Sequence, residues 1–238
     1  NEPMISIGQI QETWMLMQAH ELYNPFAWFF AGVANIGLGL PSILALFAWL
    51  DRRTAWRTLI ALSLFAILFE SQAIVTGMPY TQFHYTALSG WLLFDLVPWT
   101  LPFSWVPLLL GSAAVSYRLV SGHVPRIVLI AVLLTAIDIA FDPMATRLGL
   151  WVWARPGGFY GVPWQNFFGW FMSGLIGGAL FTWLTRTATT LPSWRLTSSV
   201  QAFLLISALV QIGLGMWLPA GLCLALLLLF WQVRSRAT

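Results

Sequence analysis

RIVLIAVLLTAIDIAFDP, residues 126–143, decides the fold. An arginine opens an apolar run, and two aspartates four residues apart, followed by Pro143, close it. A bilayer core about 30 Å thick takes about 20 apolar residues per helix, and this stretch has the length and character of one crossing. The same pattern repeats outward in both directions. Apolar runs bounded by arginines or turn residues lie at 24–50, 57–75, 87–117, 126–142, 166–185, 198–215 and 218–233. Of the 238 residues, 59% are hydrophobic and 8% charged, against about 25% charged in a soluble domain, so a water-soluble globule is excluded. The expected fold is an all-α polytopic transmembrane helix bundle of about seven spans, forming one domain over residues 1–238.

Two segments carry irregularities. Pro98, Pro102 and Pro107 interrupt the third run, which reads as a short outer half-helix followed by the true span. Gly213, Gly215 and Pro219 part the last two runs and allow a tight hairpin. Residues 1–22 carry Ile7, Ile10, Trp14 and Met17 at helical spacing, which suits a helix lying on the outer interface or an arm packed over the bundle. The chain starts at Asn1, so an incomplete or processed N-terminus is expected.

Charge sets the orientation. The net charge of +3 rests wholly on arginine, since lysine is absent, and the arginines are scattered, which argues against nucleic acid as a partner. With the N-terminus outside, Arg52, Arg53, Arg57, Arg118, Arg126, Arg186, Arg195, Arg234 and Arg236 fall on the inner side, leaving Arg147 and Arg155 outside. The positive-inside rule therefore predicts an outer N-terminus, a cytoplasmic C-terminus and an integral protein of a bacterial or archaeal cell membrane.

Four carboxyl groups, Glu70, Asp95, Asp138 and Asp142, fall within or at the ends of the runs, where an ionisable group is expensive and suggests function by default. Glu70 lies 13 residues beyond Arg57 and Asp138 lies 12 beyond Arg126, which places both roughly 18–20 Å above the inner interface. Asp138 and Asp142 share one helix face, with Pro143 expected to end the helix. Like charges so close in a low dielectric cannot both stay ionised, so one of them is expected to hold a proton, as a general acid must. The alternative is that each acid is satisfied by Arg147, Arg155, Asn166 or a backbone amide. The outer connectors are rich in aromatics: Tyr80, Phe83, His84 and Tyr85 in one, Trp151, Trp153, Phe159, Tyr160 and Trp164 in the other. They fit an interfacial aromatic belt, or walls that stabilise a cation. His20, His84 and His123 are too dispersed for a metal ligand set, the lone Cys223 cannot form an internal disulfide, and no nucleotide or hydrolase motif is present. No metal or cofactor is expected.

Asp138-Ile-Ala-Phe-Asp142-Pro143, then Gly149-Leu-Trp151-Val-Trp153 and Gly158-Phe-Tyr160-Gly161-Val-Pro163-Trp-Gln-Asn166-Phe-Phe-Gly169-Trp170, resembles the membrane carotenoid-biosynthesis hydratase family. That family includes carotenoid 1,2-hydratases acting on γ-carotene-like or bacterioruberin-precursor ends. The segment from Glu70 through Thr76-Gly77-Met78-Pro79-Tyr80 to His84-Tyr85-Thr86 is similar to the family's second block, a TGxPFGxYxYT-like run. It departs there, with Tyr80 for the phenylalanine, Thr81 for the glycine and Phe83 for the first tyrosine. The likeness covers about residues 60–172.

The resemblance implies a hydro-lyase that adds water to the terminal C1–C2 double bond of an acyclic carotenoid end without a cofactor. Proton delivery falls to Asp138 or Asp142, Glu70 orients or deprotonates the water, and Asn166 hydrogen-bonds nearby. Trp151, Trp153 and Tyr160 shield the cation, with Tyr80, Tyr85 and Asp95 also on the substrate side. The expected partners are a carotenoid, as substrate or bound pigment, membrane lipid, and a possible larger membrane complex. A pigment-binding or structural subunit of such a complex, with the same fold and no catalysis, is the alternative. A third reading, an ion-coupled transporter, lacks visible inverted repeats.

Overall fold

The computed structural model describes residues 25–235, with side chains placed for 32–234; the predicted interfacial segment at 1–22 lies outside this range. Seven α-helices are present among the described residues: α1 (Pro25–Trp49), α2 (Arg52–Thr76), α3 (Leu101–Leu119), α4 (His123–Leu148), α5 (Trp164–Leu184), α6 (Ser198–Gly213) and α7 (Trp217–Ser235). All but α3 are long and apolar enough to cross a membrane, so the chain is an integral membrane protein. Its all-α reading needs one addition. Four short strands, β1 (Phe83–Tyr85), β2 (Leu92–Leu93), β3 (Val97–Pro98) and β4 (Trp151–Trp153), form two antiparallel pairs in the connectors.

The third apolar run resolves into two parts. Residues 87–100 form a 3-10 turn and the β2–β3 hairpin rather than a half-helix, and the helix proper begins at Leu101 with Pro102 in its first turn, where a missing N–H costs nothing. Helix α3 is the central post. Its side chains from Trp105 through Ser116 are buried, and it touches α1, α2, α4, α5, α6 and α7.

Pro143 does not end α4, as the sequence suggested. The helix continues to Leu148 and closes in a Schellman motif: Gly149, at φ +70°, donates to Thr146 O, and Leu150 N donates to Ala145 O at 3.0 Å. A proline inside a helix withholds one N–H, here the one facing the Ile139 carbonyl. On the next carbonyl, Ala140 O accepts from Gln211 Nε2 of α6 at 2.9 Å, so a neighbouring helix supplies polar support at the interruption.

The helices come close where side chains are absent. A Cβ on Gly174 of α5 would lie 2.7 Å from Ala131 Cα of α4, and one on Gly39 of α1 would lie 2.0 Å from Phe103 O of α3. Near Gly39, α1 is clasped to α6: Ser42 Oγ donates to Leu196 O at 2.7 Å, Ser199 Oγ to Gly39 O at 3.1 Å, and Ser42 N to Ser199 Oγ at 3.1 Å.

One end of the bundle carries Arg118 over the Trp194 ring and Arg126 over the Tyr117 ring. At the other end the two aromatic connectors are zipped together. Strand β1 pairs with β4 in the register Phe83↔Trp153, His84↔Val152 and Tyr85↔Trp151. Thr86 Oγ1 donates to Gly149 O at 2.7 Å and Ser89 Oγ to Leu150 O at 2.7 Å. The last two helices form the tight hairpin expected, turning at Gly215.

Gly39→Val forces a side chain into the α3 backbone, and a destabilisation of about 1–3 kcal/mol is expected. Reversible detergent unfolding of the purified protein measures it, with Gly37→Val, where a Cβ meets nothing within 4 Å, as the neutral comparison.

Candidate active site

Helix α4 brings Asp138 and Asp142 to one face a single turn apart, and both are buried, at 2% exposure each. Helix α5 answers with Asn166 in its first turn. Its Nδ2 donates one hydrogen to Asp138 Oδ2 at 2.9 Å and the other to Asp142 Oδ2 at 2.7 Å. The two carboxyl groups thus share a single amide as donor. Arg147 and Arg155, the other partners considered from sequence, are exposed.

Glu70, on α2, is buried as well and accepts a short hydrogen bond from the Tyr85 hydroxyl. Tyr85 is held over it by the β1–β4 pairing, flanked by Phe83 at 5.4 Å and Trp151 at 5.8 Å between ring centroids. Burial and the neighbouring Glu70 push the Tyr85 phenol well above its ordinary range, so it remains an O–H donor. Trp153 is locked by its indole N–H, which donates to Thr146 Oγ1 at 3.0 Å.

These groups line one cavity of about 280 Å³. Glu70, Asp138, Asp142 and Asn166 form its polar floor; Tyr80, Tyr85, Trp151 and Trp153 stand around them. The remaining wall is apolar apart from a few hydroxyl and amide groups. Leu38 of α1 and Phe203 and Ile206 of α6 also line it, with Leu88, and of these Leu88 and Ile206 are 40% and 43% exposed.

Two predicted site residues are not brought here. Asp95 and Tyr160 each occupy a tight turn with two consecutive positive-φ residues: Phe94 and Asp95 at +54° and +56°, Tyr160 and Gly161 at +51° and +89°. Such type I′ geometry favours Asp and Gly and carries both residues to exposed tips outside the cavity lining. Among the lining residues that escaped the sequence reading are Trp105, Phe203 and Ser207. Trp105 was hidden in the proline-broken segment, while Phe203 and Ser207 lie in a run marked only by hydrophobicity. Among the described residues, no group of three or more His, Cys, Asp or Glu side chains is arranged to hold a metal ion.

A family model described as "Carotenoid biosynthesis protein" matches residues 33–230. The chain is also 30% identical over 210 residues to a bisanhydrobacterioruberin hydratase of Haloarcula japonica, a match covering 84% of this chain and 69% of that protein. No solved structure matches the chain.

Asn166→Leu strands two carboxyl groups that share one amide, and a loss of about 1.5–3 kcal/mol is expected. In an Asp142→Leu background the same change costs less, because only one acid is left without its donor. Detergent-unfolding midpoints of the four proteins give the coupling directly.

Proposed function

We propose, from the premise that this chain belongs to the carotenoid biosynthesis protein family, that it is a hydratase adding water to the terminal C1–C2 double bond of an acyclic carotenoid end. The observation that carries this reading is the buried Asp138–Asp142 pair, joined by Asn166, lining an otherwise largely apolar cavity. A carotenoid dissolves only in lipid and is about as long as a bilayer is thick. Its end enters from the flank, while the rest of the polyene stays among lipid tails.

In this reading the shared proton of the aspartate pair passes to the less substituted alkene carbon. The π pair forms the new C–H bond and leaves a tertiary cation on the other carbon. Water attacks that carbon, and the proton it sheds goes to a carboxylate, so one water is consumed and the enzyme regains its starting protonation. Asn166, a fixed double donor, stabilises the negative charge on the aspartate that has given up its proton. In the same reading Glu70, oriented by Tyr85, aligns the water, takes its proton and returns it to the aspartate pair. Trp151 and Trp153, which line the cavity, shield the cation from bulk water in this reading. Tyr80 and Tyr85 complete the substrate wall. The arginine-bearing end is the cytoplasmic one, with the cavity in the outer half of the membrane.

Expression in a carotenoid-producing host with mass analysis of the pigments tests this. The wild type is expected to yield a product heavier by one water. Asp138→Asn, Asp142→Asn and Glu70→Gln should each lower its yield by at least 100-fold, with the protein still present in the membrane. Bound pigment with unchanged composition in all four strains would overturn catalysis in favour of a pigment-binding subunit.

A further inference from the structure

A groove of about 440 Å³ lies between α1 and α2, lined by Ile43 and Phe47 of α1, Trp56, Ile60 and Leu64 of α2, and Phe103 of α3 among others. It shares no lining residue with the acid cavity. Only Leu50 and Asp51 join α1 to α2, yet the two helices part: α1 packs chiefly on α3 and α6, and α2 on α3 and α5. Gly39 draws α1 onto the α3 backbone at Phe103, while Phe47 meets Trp56 edge-on near the turn, at 4.9 Å between ring centroids. The lining left between these contacts is apolar apart from Ser63, and Ile60 and Leu64 are 51% and 54% exposed.

The exposed stripe of α2 continues from this apolar lining into charge. Arg53 lies three residues before Trp56 and seven before Ile60, and Arg57 lies three before Ile60 and seven before Leu64, so both share that helix face. Both are exposed, as is Arg52. Of the acids among the described residues, Glu70, Asp138 and Asp142 line the cavity and Asp95 sits in the β2–β3 turn, which leaves Asp51 beside these arginines. Its carboxylate caps α2, accepting from the Arg53 and Thr54 amides at 3.0 and 3.1 Å. Three guanidinium groups thus stand against one carboxylate. Trp49, at the end of α1, donates its indole N–H to Thr190 O at 3.3 Å, in the connector that carries Trp194 under Arg118, so this turn belongs to the arginine-bearing end of the bundle.

The two halves of this arrangement suit two parts of one ligand. Exposed arginines at a membrane surface attract an anionic headgroup, and the apolar groove beside them accepts hydrocarbon. From Trp56 to Leu64 the helix rises ~12 Å, close to the ~15 Å that one leaflet contributes to the bilayer core. A second copy docked on this face about a two-fold axis would set its own arginine row against this one. We propose that the groove is a binding site for an anionic membrane lipid of the leaflet at that end, with its phosphate on Arg53 and Arg57 and one hydrocarbon chain along Ile60 and Leu64. The site stands independently of the hydratase reading.

The probes are tail-brominated phosphatidylglycerol and tail-brominated phosphatidylcholine with the same chains, each titrated into phosphatidylcholine nanodiscs that hold the purified protein. Bromine quenches indole fluorescence on contact, and the difference between wild type and Trp56→Phe isolates Trp56 from the other tryptophans. Half-quenching of Trp56 is expected at about tenfold lower mole fraction of the anionic lipid. Arg53→Gln with Arg57→Gln should erase that preference. Arg186→Gln with Arg234→Gln, which removes the same charge beyond α5 and in the last turn of α7, should keep it. Ile60→Phe with Leu64→Phe narrows the groove and should weaken quenching by the anionic lipid with the arginines intact. Equal half-quenching by the two lipids would overturn the proposal, as would loss of the preference in the Arg186 and Arg234 variant, which would assign it to diffuse surface charge. No effect of narrowing the groove would leave a headgroup contact without a seated chain and overturn it too. So would a wild-type dimer, sized in the discs, in which Trp56 is shielded from both lipids, since the groove would then belong to a second copy.

Discussion

Burying two aspartates one helical turn apart inside an apolar bundle constrains everything packed around them. A single carboxylate at the centre of a membrane helix costs about 2.5–3.5 kcal/mol on an insertion scale, and a second beside it adds repulsion. The fold meets this with one primary amide that divides its two hydrogens between the pair. The amide can reach both acids only because α5 lies close against α4, and Gly174 over Ala131 is what lets it lie there. Small residues in the helix seam and acids in the cavity thus belong to one solution.

The extramembrane cap completes the site from above. Pairing of β1 with β4 ties the two aromatic connectors into one unit, and this unit sets Tyr85 over Glu70. Three carboxyl groups from two helices therefore receive their donors from two separate sources, an interhelical amide and a strand-borne phenol. The aromatic wall between them includes Tyr80, Trp151 and Trp153.

Much of this was legible before any coordinates, for identifiable reasons. Helix existence follows from hydrophobic run length, and Glu70 and Asp138, counted to one level from constant helical rise, line the same cavity. Asp138 and Asp142 were readable as a pair because four residues make one turn. The short strands were not, since Phe83-His-Tyr85 and Trp151-Val-Trp153 are too brief to display a period and their pairing is long-range. Asp95 and Tyr160 misled for a related reason: an acid or an aromatic at a left-handed turn is chosen for backbone geometry, which composition alone cannot separate from chemistry. Pro143 misled because its effect depends on what another helix offers, and Gln211 is remote in sequence.

Ser42 and Ser199 exchange hydrogen bonds in both directions, each backbone N–H meeting the other's hydroxyl oxygen at 3.1 Å. Such reciprocal bonding resists sliding of α1 along α6 yet leaves their mutual angle soft, which makes the crossing a fulcrum. One turn from the crossing, Leu38 of α1 and Phe203 of α6 line the cavity, whose acids are carried by α2 and α4. The angle between α1 and α6 can thus vary about this crossing while their relative height stays fixed.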